Sequence, residues 1–448
     1  MARKPLRYLL SLALLAAPLS AFAVDLKEVY QLALDNEHQL KADRAAYEAG
    51  RQAKIINRTG IVPNIGARAE YTDVEFDAGI STQNFNTSNR SQVYSITLTQ
   101  ALFDLNAWYT YKQGLRLTDQ AKAQFEADEQ AFMLRVANAY FDVLRAADVL
   151  ENSIALEKAL KSQLDQTQQR FEVGLTAITD VHDAQADYDN ARAETLGNQN
   201  VLGTAYDTLE VITGSPQTAV SALSDSFPVT EPVPSDRKQW VEFALKNNNS
   251  LEAARFSAEA ARQSSRAASS SLLPTVQAQL LKSDDHNFEG DRDTDRSGFV
   301  VTIDLPITNG GGLKAQKRQA AAEYNQAQET FLQTKREIIQ SARSQHLGVL
   351  TDVATVAARK QAIVSSESSL EATQAGYEVG TRDFVDVLNA QQGVFQAKSD
   401  YYNALYDYII GTLELKQTAG TLAPSDILEL NNWLNSGTEK SRANYGLD

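Results

Sequence analysis

The sequence predicts a mainly α-helical chain carrying four strands of membrane-spanning character, laid out as two copies of one plan. Three observations carry this. A motif recurs 206 residues after its first appearance. Nearly Pro- and Gly-free helical stretches run far beyond the length a compact domain holds. Short period-two segments sit at matching places in both halves.

The N-terminus reads as a leader. Arg3, Lys4 and Arg7 precede the apolar stretch Tyr8 to Ala17, and Ala21-Phe22-Ala23 fits a small-x-small cleavage site. Residues 1–23 are therefore expected to be a signal peptide, with the mature chain starting at Val24. The apolar run is too short to span a bilayer, and the chain has no Cys to carry a lipid. Export without a lipid anchor follows. Absence of Cys also excludes disulfides and thiolate metal sites.

The first repeat is expected over residues 24–227. A helix over Leu26 to Arg58 leads into two alternating segments. In Ile65, Ala67, Ala69 and Tyr71, and again in Tyr94, Ile96 and Leu98, apolar residues alternate with polar ones. Each segment is about the length of a spanning strand, and charged residues on the second face favour a barrel over a soluble sandwich. The polar stretch Glu75 to Ser91 between them reads as an external loop. From Asp104 to Val173 there is no Pro and one Gly, Gly114. Val143, Ala147, Leu150 and Ile154, then Leu160, Leu164, Thr167 and Phe171, step by four, three and four as a coiled-coil seam does. Seventy such residues would span roughly 105 Å. A shorter helix, Thr179 to Ile212, follows.

Pro228, Pro232 and Pro234 mark a linker over residues 228–235. The second repeat, residues 236–420, has the same plan: a helix over Lys238 to Ser269, alternation at Val276, Ala278 and Leu280 and at Phe299, Val301, Ile303 and Leu305, and a polar tip from Ser283 to Ser297. A second long seam runs through Ile339, Ala342, His346, Val349, Val353 and Val356, and a shorter helix over Asp383 to Gln417 follows. Residues 421–448 are expected to form a C-terminal equatorial or tail segment.

Composition closes off other classes. The chain has 42 Lys+Arg against 57 Asp+Glu, a net charge of −15 and a mean hydropathy of −0.35. No apolar run of about 20 residues follows the leader, which excludes a polytopic helical transporter. The negative balance argues against nucleic-acid binding. Neither a nucleophile–base pair nor a metal-ligand spacing is evident, so no catalytic residue, metal or cofactor is expected. Of the four His, His38, His182, His286 and His346, none has the spacing of a metal pair, and His346 is expected to pack on a seam. Asp291-Arg292-Asp293-Thr294-Asp295 starts like a calcium loop but fails at Arg296 and Thr302. Gly310-Gly311-Gly312 lacks the Lys of a phosphate loop and reads as a strand-to-helix turn.

Four strands cannot close around a lumen, and an open sheet edge is forbidden in lipid. Several chains must pool their strands. Two chains would give eight strands, nearly filled by side chains; three would give twelve and room for water.

The repeated motifs carry a resemblance. Arg170-Phe171-Glu172-Val173-Gly174-Leu175-Thr176-Ala177-Ile178-Thr179-Asp180-Val181 and Ala375-Gly376-Tyr377-Glu378-Val379-Gly380-Thr381-Arg382, with Val385-Asp386-Val387-Leu388, resemble the TolC family of outer-membrane efflux and type I secretion channels. Ala101-Leu102-Phe103-Asp104 is similar to the family's strand-to-helix junction, with Ala101 where Pro is usual. The resemblance covers nearly the whole mature chain. It implies a homotrimer in the bacterial outer membrane: a twelve-stranded β-barrel, four strands per chain, continuous with a long α-helical coiled-coil tunnel in the periplasm. It implies passive export of drugs or secreted proteins. The partners implied are a periplasmic adaptor (membrane fusion) protein, an inner-membrane pump of ABC, RND or MFS type, and outer-membrane lipid.

The same resemblance assigns roles. Thr179, Asp180, Tyr377 and Arg382 would gate the periplasmic mouth through hydrogen bonds and ion pairs. Gln163 and Gln374 match a further constriction pair, with Gln374 replacing a Glu. Asp386 would form an acidic ring in the pore, and Asn389 stands where a second acid is usual. Val173, Gly174, Leu175, Val379, Gly380 and Thr381 would dock the adaptor. A structural coiled-coil spacer of the envelope, without a pore, is the alternative; it leaves four duplicated strands unexplained.

Overall fold

A computed structural model describes residues 23–80, 83–288 and 293–447. The expected leader lies outside these residues up to Phe22, as do Asp291 and Arg292 of the loop compared with calcium sites. The first half runs α1 (Leu26–Asn36), α2 (His38–Arg51), α3 (Ala53–Ile56), β1 (Asn64–Ile80), β2 (Gln83–Phe103), α4 (Leu105–Glu172), α5 (Ile178–Thr213) and β3 (Ala219–Leu223). The second half repeats the order as α6 (Arg237–Asn247), α7 (Asn249–Ser270), β4 (Thr275–Asn287), β5 (Thr294–Asp304), α8 (Gly312–Glu378) and α9 (Phe384–Thr418). It then adds α10 (Pro424–Asn431), β6 (Leu434–Ser441) and a 3-10 turn, Arg442–Tyr445.

Two expected helices are broken. Glu37 leaves the helical region, its N–H closes α1 on Ala33, and its carboxylate accepts from Leu40 N–H to start α2. Asn248 does the same between α6 and α7, and its amide also donates to Thr418. One polar residue serving as C-cap and N-cap turns the chain without leaving end groups unpaired. A helical period continues through such a joint, which is why the break is hard to read.

The long helices α4 and α8 have 68 and 67 residues. Asp104 caps α4 by accepting from Ala107 N–H at 2.9 Å. The seam follows Val143, Ala147 and Leu150, passes to Ser153, and continues through Leu160, Leu164 and Thr167, all buried. Ile154 and Phe171, expected on it, are exposed, because a 3.6-residue helix drifts off a fixed seven-residue stripe. Gly114 admits α3: a Cβ there would stand 2.7 Å from the Ala53 carbonyl oxygen. His346 is buried as expected, with Nε2 3.1 Å from the Ser235 carbonyl oxygen.

The helices form a single layer. Around the strand end the order is α2, α4, α7, α8; toward the opposite end it is α5, α4, α9, α8. At mid-height one face of the layer carries a belt of α1, β3, β6 and α10. Strand β3 pairs antiparallel with β6, and Val24 bridges to Val220. Tyr140, Tyr206 and Tyr406 are fully buried beneath it. Lys440 of β6 lies 2.9 Å from Asp148 and 2.6 Å from Glu151 of α4, and Tyr406 and Tyr445 donate to these same carboxylates at 2.6 Å. Burial raises the Asp148 carboxyl, against the pull of Lys440 and Tyr406. For Lys440, burial lowers the ammonium but the two carboxylates outweigh it, so the net direction is upward.

The four strands form one antiparallel sheet, in the order β1-β2-β4-β5. The segments expected to be loops are largely strand: β1 and β2 stay in register from Asn64↔Thr99 out to Ile80↔Gln83. Polar residues pair as readily as apolar ones where both faces meet water, so composition alone does not end a strand.

Register places Ile65, Leu98, Leu280 and Phe299 in one row across all four strands. Beyond that row, toward the hairpin tips, β1 and β2 stay apolar with Ala67, Ile96, Ala69 and Tyr94. The partners on β4 and β5 are Lys282, Ser297, Asp284 and Asp295. Toward the helices the second hairpin stays apolar instead, with Ala278, Val301, Val276 and Ile303. The apolar band therefore slants across the register. Strands about 4.8 Å apart and tilted about 40° would displace a level band by roughly one residue per strand. The slant is what tilted strands crossing a lipid layer require. Ile65, Ile96, Leu280, Phe299 and Ile303 are all more than half exposed, so nothing among the described residues covers this band. The opposite face carries Arg68 and Glu70, paired at 2.9 Å, with Thr97, Gln277, Gln279 and Thr302.

Candidate functional site

The candidate site lies at the end of the helix layer farthest from the strands, where α4 turns into α5 and α8 into α9. Both turns are built alike. Val173 ends α4; Gly174 takes φ +76°, its N–H bonds Phe171 O, and Leu175 N–H bonds Arg170 O at 2.8 Å. Val379, Gly380 at φ +79° and Thr381 repeat this pattern on Tyr377 O and Gly376 O. These are the crossed bonds of a glycine-terminated helix, and they satisfy the last carbonyls. Val173, Leu175 and Val379 then stand about 70% exposed, an apolar surface with no partner among the described residues.

Just inside the turns the two hairpins are joined by a small core. Leu160 and Leu164 of α4, Ala184 and Ala191 of α5, and Phe384 and Leu388 of α9 are buried together, with Tyr377 of α8 against them. Tyr377 lies 6.1 Å from the Phe384 ring, and the Arg170 guanidinium sits 5.1 Å from the Tyr377 ring centre.

Around this core the polar residues pair locally. Thr176 and Thr179 both donate to Asp180, one to each carboxylate oxygen. Asp383 caps α9 by accepting from Asp386 N–H at 2.9 Å. Arg382 Nη1 lies 3.5 Å from Asp386 Oδ2. Within one chain, then, the structure brings Thr179 to Asp180, and Arg382 to Asp386. It does not bring Asp180 to Arg382 or Tyr377, and the Gln163 and Gln374 side chains make no hydrogen bond among the described residues. Asn389 is exposed and lines a polar cavity of about 610 Å³ between α4, α5 and α9, together with Asp187 and Gln392. Burial raises the Asp187 carboxyl, Asp183 raises it further, and a hydrogen bond from Gln392 pulls it down.

Sequence reasoning missed Arg170, Thr176, Asp183 and Asp187. The 206-residue repeat offset was the available signal for two of them: it aligns Thr176 and Asp180 with Arg382 and Asp386, and Asp183 with Asn389. Arg170 aligns with Gly376, so the repeat gives no sign of its stacking.

Comparison with known proteins uses the same two halves. The sequence model of the outer membrane efflux protein family matches residues 29–215 and 240–421. The chain belongs to this family. Outer membrane protein TolC of Vibrio cholerae serotype O1 is 33% identical over 441 residues, covering 96% of this chain and 98% of that protein. TolC of Escherichia coli K12 is 34% identical over 446 residues, covering 96% and 89%. Among solved structures, the Vibrio cholerae outer membrane protein VceC superposes with a TM-score of 0.75 at 19% identity, covering 88% of this chain and 96% of that one. The chain is thus an outer-membrane export channel of TolC-like fold, located in the outer membrane. The family consists of transport channels.

Proposed function

We propose that three copies pool their strands into a twelve-stranded barrel and their helix layers into one periplasmic tube, through which cargo driven by a pump passes without chemistry. The supporting observation is that both layers end in unsatisfied edges. In the described sheet, β1 pairs only with β2 and β5 only with β4. All neighbours are antiparallel, so β5 of one copy meets β1 of the next in the antiparallel sense. Helix α8 buries five of its 67 residues, where α4 buries nineteen of 68. A second copy supplies what each edge lacks, and three copies leave a lumen that two would fill.

In this reading the leader is removed at Ala23. The turns are the periplasmic mouth. Thr179, Asp180, Tyr377 and Arg382 hold it closed by bonds between neighbouring coils, with Gln163 and Gln374 as a neutral pair and Asp386 as the acidic ring. The exposed Val173, Leu175 and Val379, beside Gly174, Gly380 and Thr381, receive a periplasmic adaptor, which links the tube to an inner-membrane pump. Heat-modifiable migration in detergent gels and single-channel recording test the assembly. A folded species that stays monomeric and gives no conductance in planar bilayers would overturn it.

A further inference from the structure

A cavity of about 330 Å³ opens in the belt, between the Pro-rich linker, α9 and α10. Its volume is at the small end of ligand sites, and about ten waters would fill it. It lies at mid-height, away from both the strands and the helix turns. Four aromatic rings stand in its otherwise mainly aliphatic walls. Phe227 stands edge-on to Trp433, with ring centres 6.0 Å apart at 84°, and 6.4 Å from Tyr408. Trp240 completes the lining.

The polar ends of two rings are already used. Tyr408 hydroxyl donates to Thr230 O at 2.9 Å and accepts from Thr230 N–H at 3.1 Å. Trp240 Nε1 donates to Pro234 O at 2.7 Å. What those two rings offer an occupant is apolar and π surface. The ammonium of Lys416, at the wall, is held 2.7 Å from Asp426 and is neutralised there. Glu231 and Glu429 remain, both exposed, both lining the cavity, and neither in an ion pair or side-chain hydrogen bond among the described residues. The charged groups left unneutralised are therefore acceptors only.

We propose that this cavity is a binding site for a small organic ammonium ion, its apolar body against Phe227 and Trp433 and its cationic head between Glu231 and Glu429. Aromatic faces and carboxylates both favour a cation, and an aromatic lining favours one whose charge is spread over alkyl groups. An anion of the same size would meet two carboxylates, and a neutral molecule would leave them unpaired. The site is distinct from the proposed mouth.

The chain has three Trp, and two of them line the cavity. A Trp108→Phe background therefore reports the site by fluorescence. Full-length protein in a non-ionic detergent should show saturable quenching by benzyltrimethylammonium. Benzyl alcohol and benzoate should bind at least tenfold more weakly. Glu231→Gln and Glu429→Gln, both at exposed positions, should each weaken the ammonium about fivefold while leaving the melting temperature unchanged, and the double variant should remove the preference for charge. Equal quenching by all three probes, or unchanged affinity in the double variant, would overturn the proposal. Isothermal titration with the same probe separates binding from collisional quenching: heat that does not saturate also overturns it.

Discussion

Replacing Arg382 by Ser should raise cation selectivity as well as loosen the mouth. The family resemblance implies that Tyr377→Phe with Arg382→Ser loosens the mouth and keeps selectivity, with Asp386 carrying the cation preference. The 3.5 Å approach of Arg382 to Asp386 in the same chain changes that expectation. Side chains 60% and 40% exposed give this pair little worth in stability, within about 1 kcal/mol. Its effect on the pore is larger, because it fixes net charge. In the proposed trimer the ring holds three carboxylates and three guanidinium groups; Arg382→Ser leaves the three carboxylates alone. For charges placed one Debye length, about 8 Å, from the axis in water, Coulomb attraction is about 0.5 kcal/mol per charge, and salt screening near 0.15 M cuts the sum to about 0.6 kcal/mol. An anion is disfavoured equally, so the cation-to-anion permeability ratio should rise roughly five- to tenfold. Reversal potentials across a salt gradient in planar bilayers measure this. Asp386→Ala should move the ratio the other way. An Arg382→Ser channel with higher conductance and an unchanged ratio would mean that Arg382 does not offset the ring, and the reasoning from this pair would fail.

Other consequences are open to test. Arg at Leu98 or Leu280, in the row shared by all four strands, should cost about 2–4 kcal/mol and reduce trimer yield, while Arg at Thr97 or Thr302 should be tolerated; the reverse pattern would invert the assigned faces. Cys at Leu175 or Val379 should cross-link to a co-expressed adaptor more cleanly than Cys at Gly174 or Gly380, whose positive φ strains any side chain; efficient capture only from the central helix surface would refute docking at the turns. Lys440→Met should leave Asp148 and Glu151 uncompensated and destabilise by about 3–5 kcal/mol. Because the Lys440 pKa is raised above its ordinary 10.5, its contribution is complete below that pH and is lost only above it. The difference in melting temperature between parent and variant should hold from pH 7 to 10 and shrink beyond; shrinkage already by pH 9 would contradict the assignment.

Much of the architecture was legible because it rests on periodicity. Two long seams, four period-two segments and a repeated Val-Gly turn each leave a regular trace, and the helices end within a residue or two of the residues expected. What escaped was set by tertiary contact. The double caps at Glu37 and Asn248 preserve helical period while redirecting the chain. The polar hairpin tips remain strand because their pairing partners exist, which composition does not reveal. The turns were placed, but their chemistry was read one residue at a time, so the Arg382–Asp386 approach and the stacking of Arg170 on Tyr377 went unseen. The belt was the least visible part: its Tyr–carboxylate–Lys network joins residues almost 300 positions apart, and no local pattern announces such a meeting.

That belt also bears on when the molecule can fold. Asn431 accepts from Lys27 N–H and donates to Asp25, across 404 and 406 residues, and β6 completes the strand pair that β3 begins. The waist of the first repeat therefore stays open until residues 431–441 arrive. Contacts of such separation form slowly, since a very long loop must close before they contribute. A chain that crosses one membrane before settling into another gains from this. Its hairpins and coils can form piecemeal in transit, but the waist cannot lock until the C-terminus has been delivered to the same compartment as the N-terminus. Truncation of the last fifteen residues should thus be felt at assembly, as a chain that is exported and does not mature.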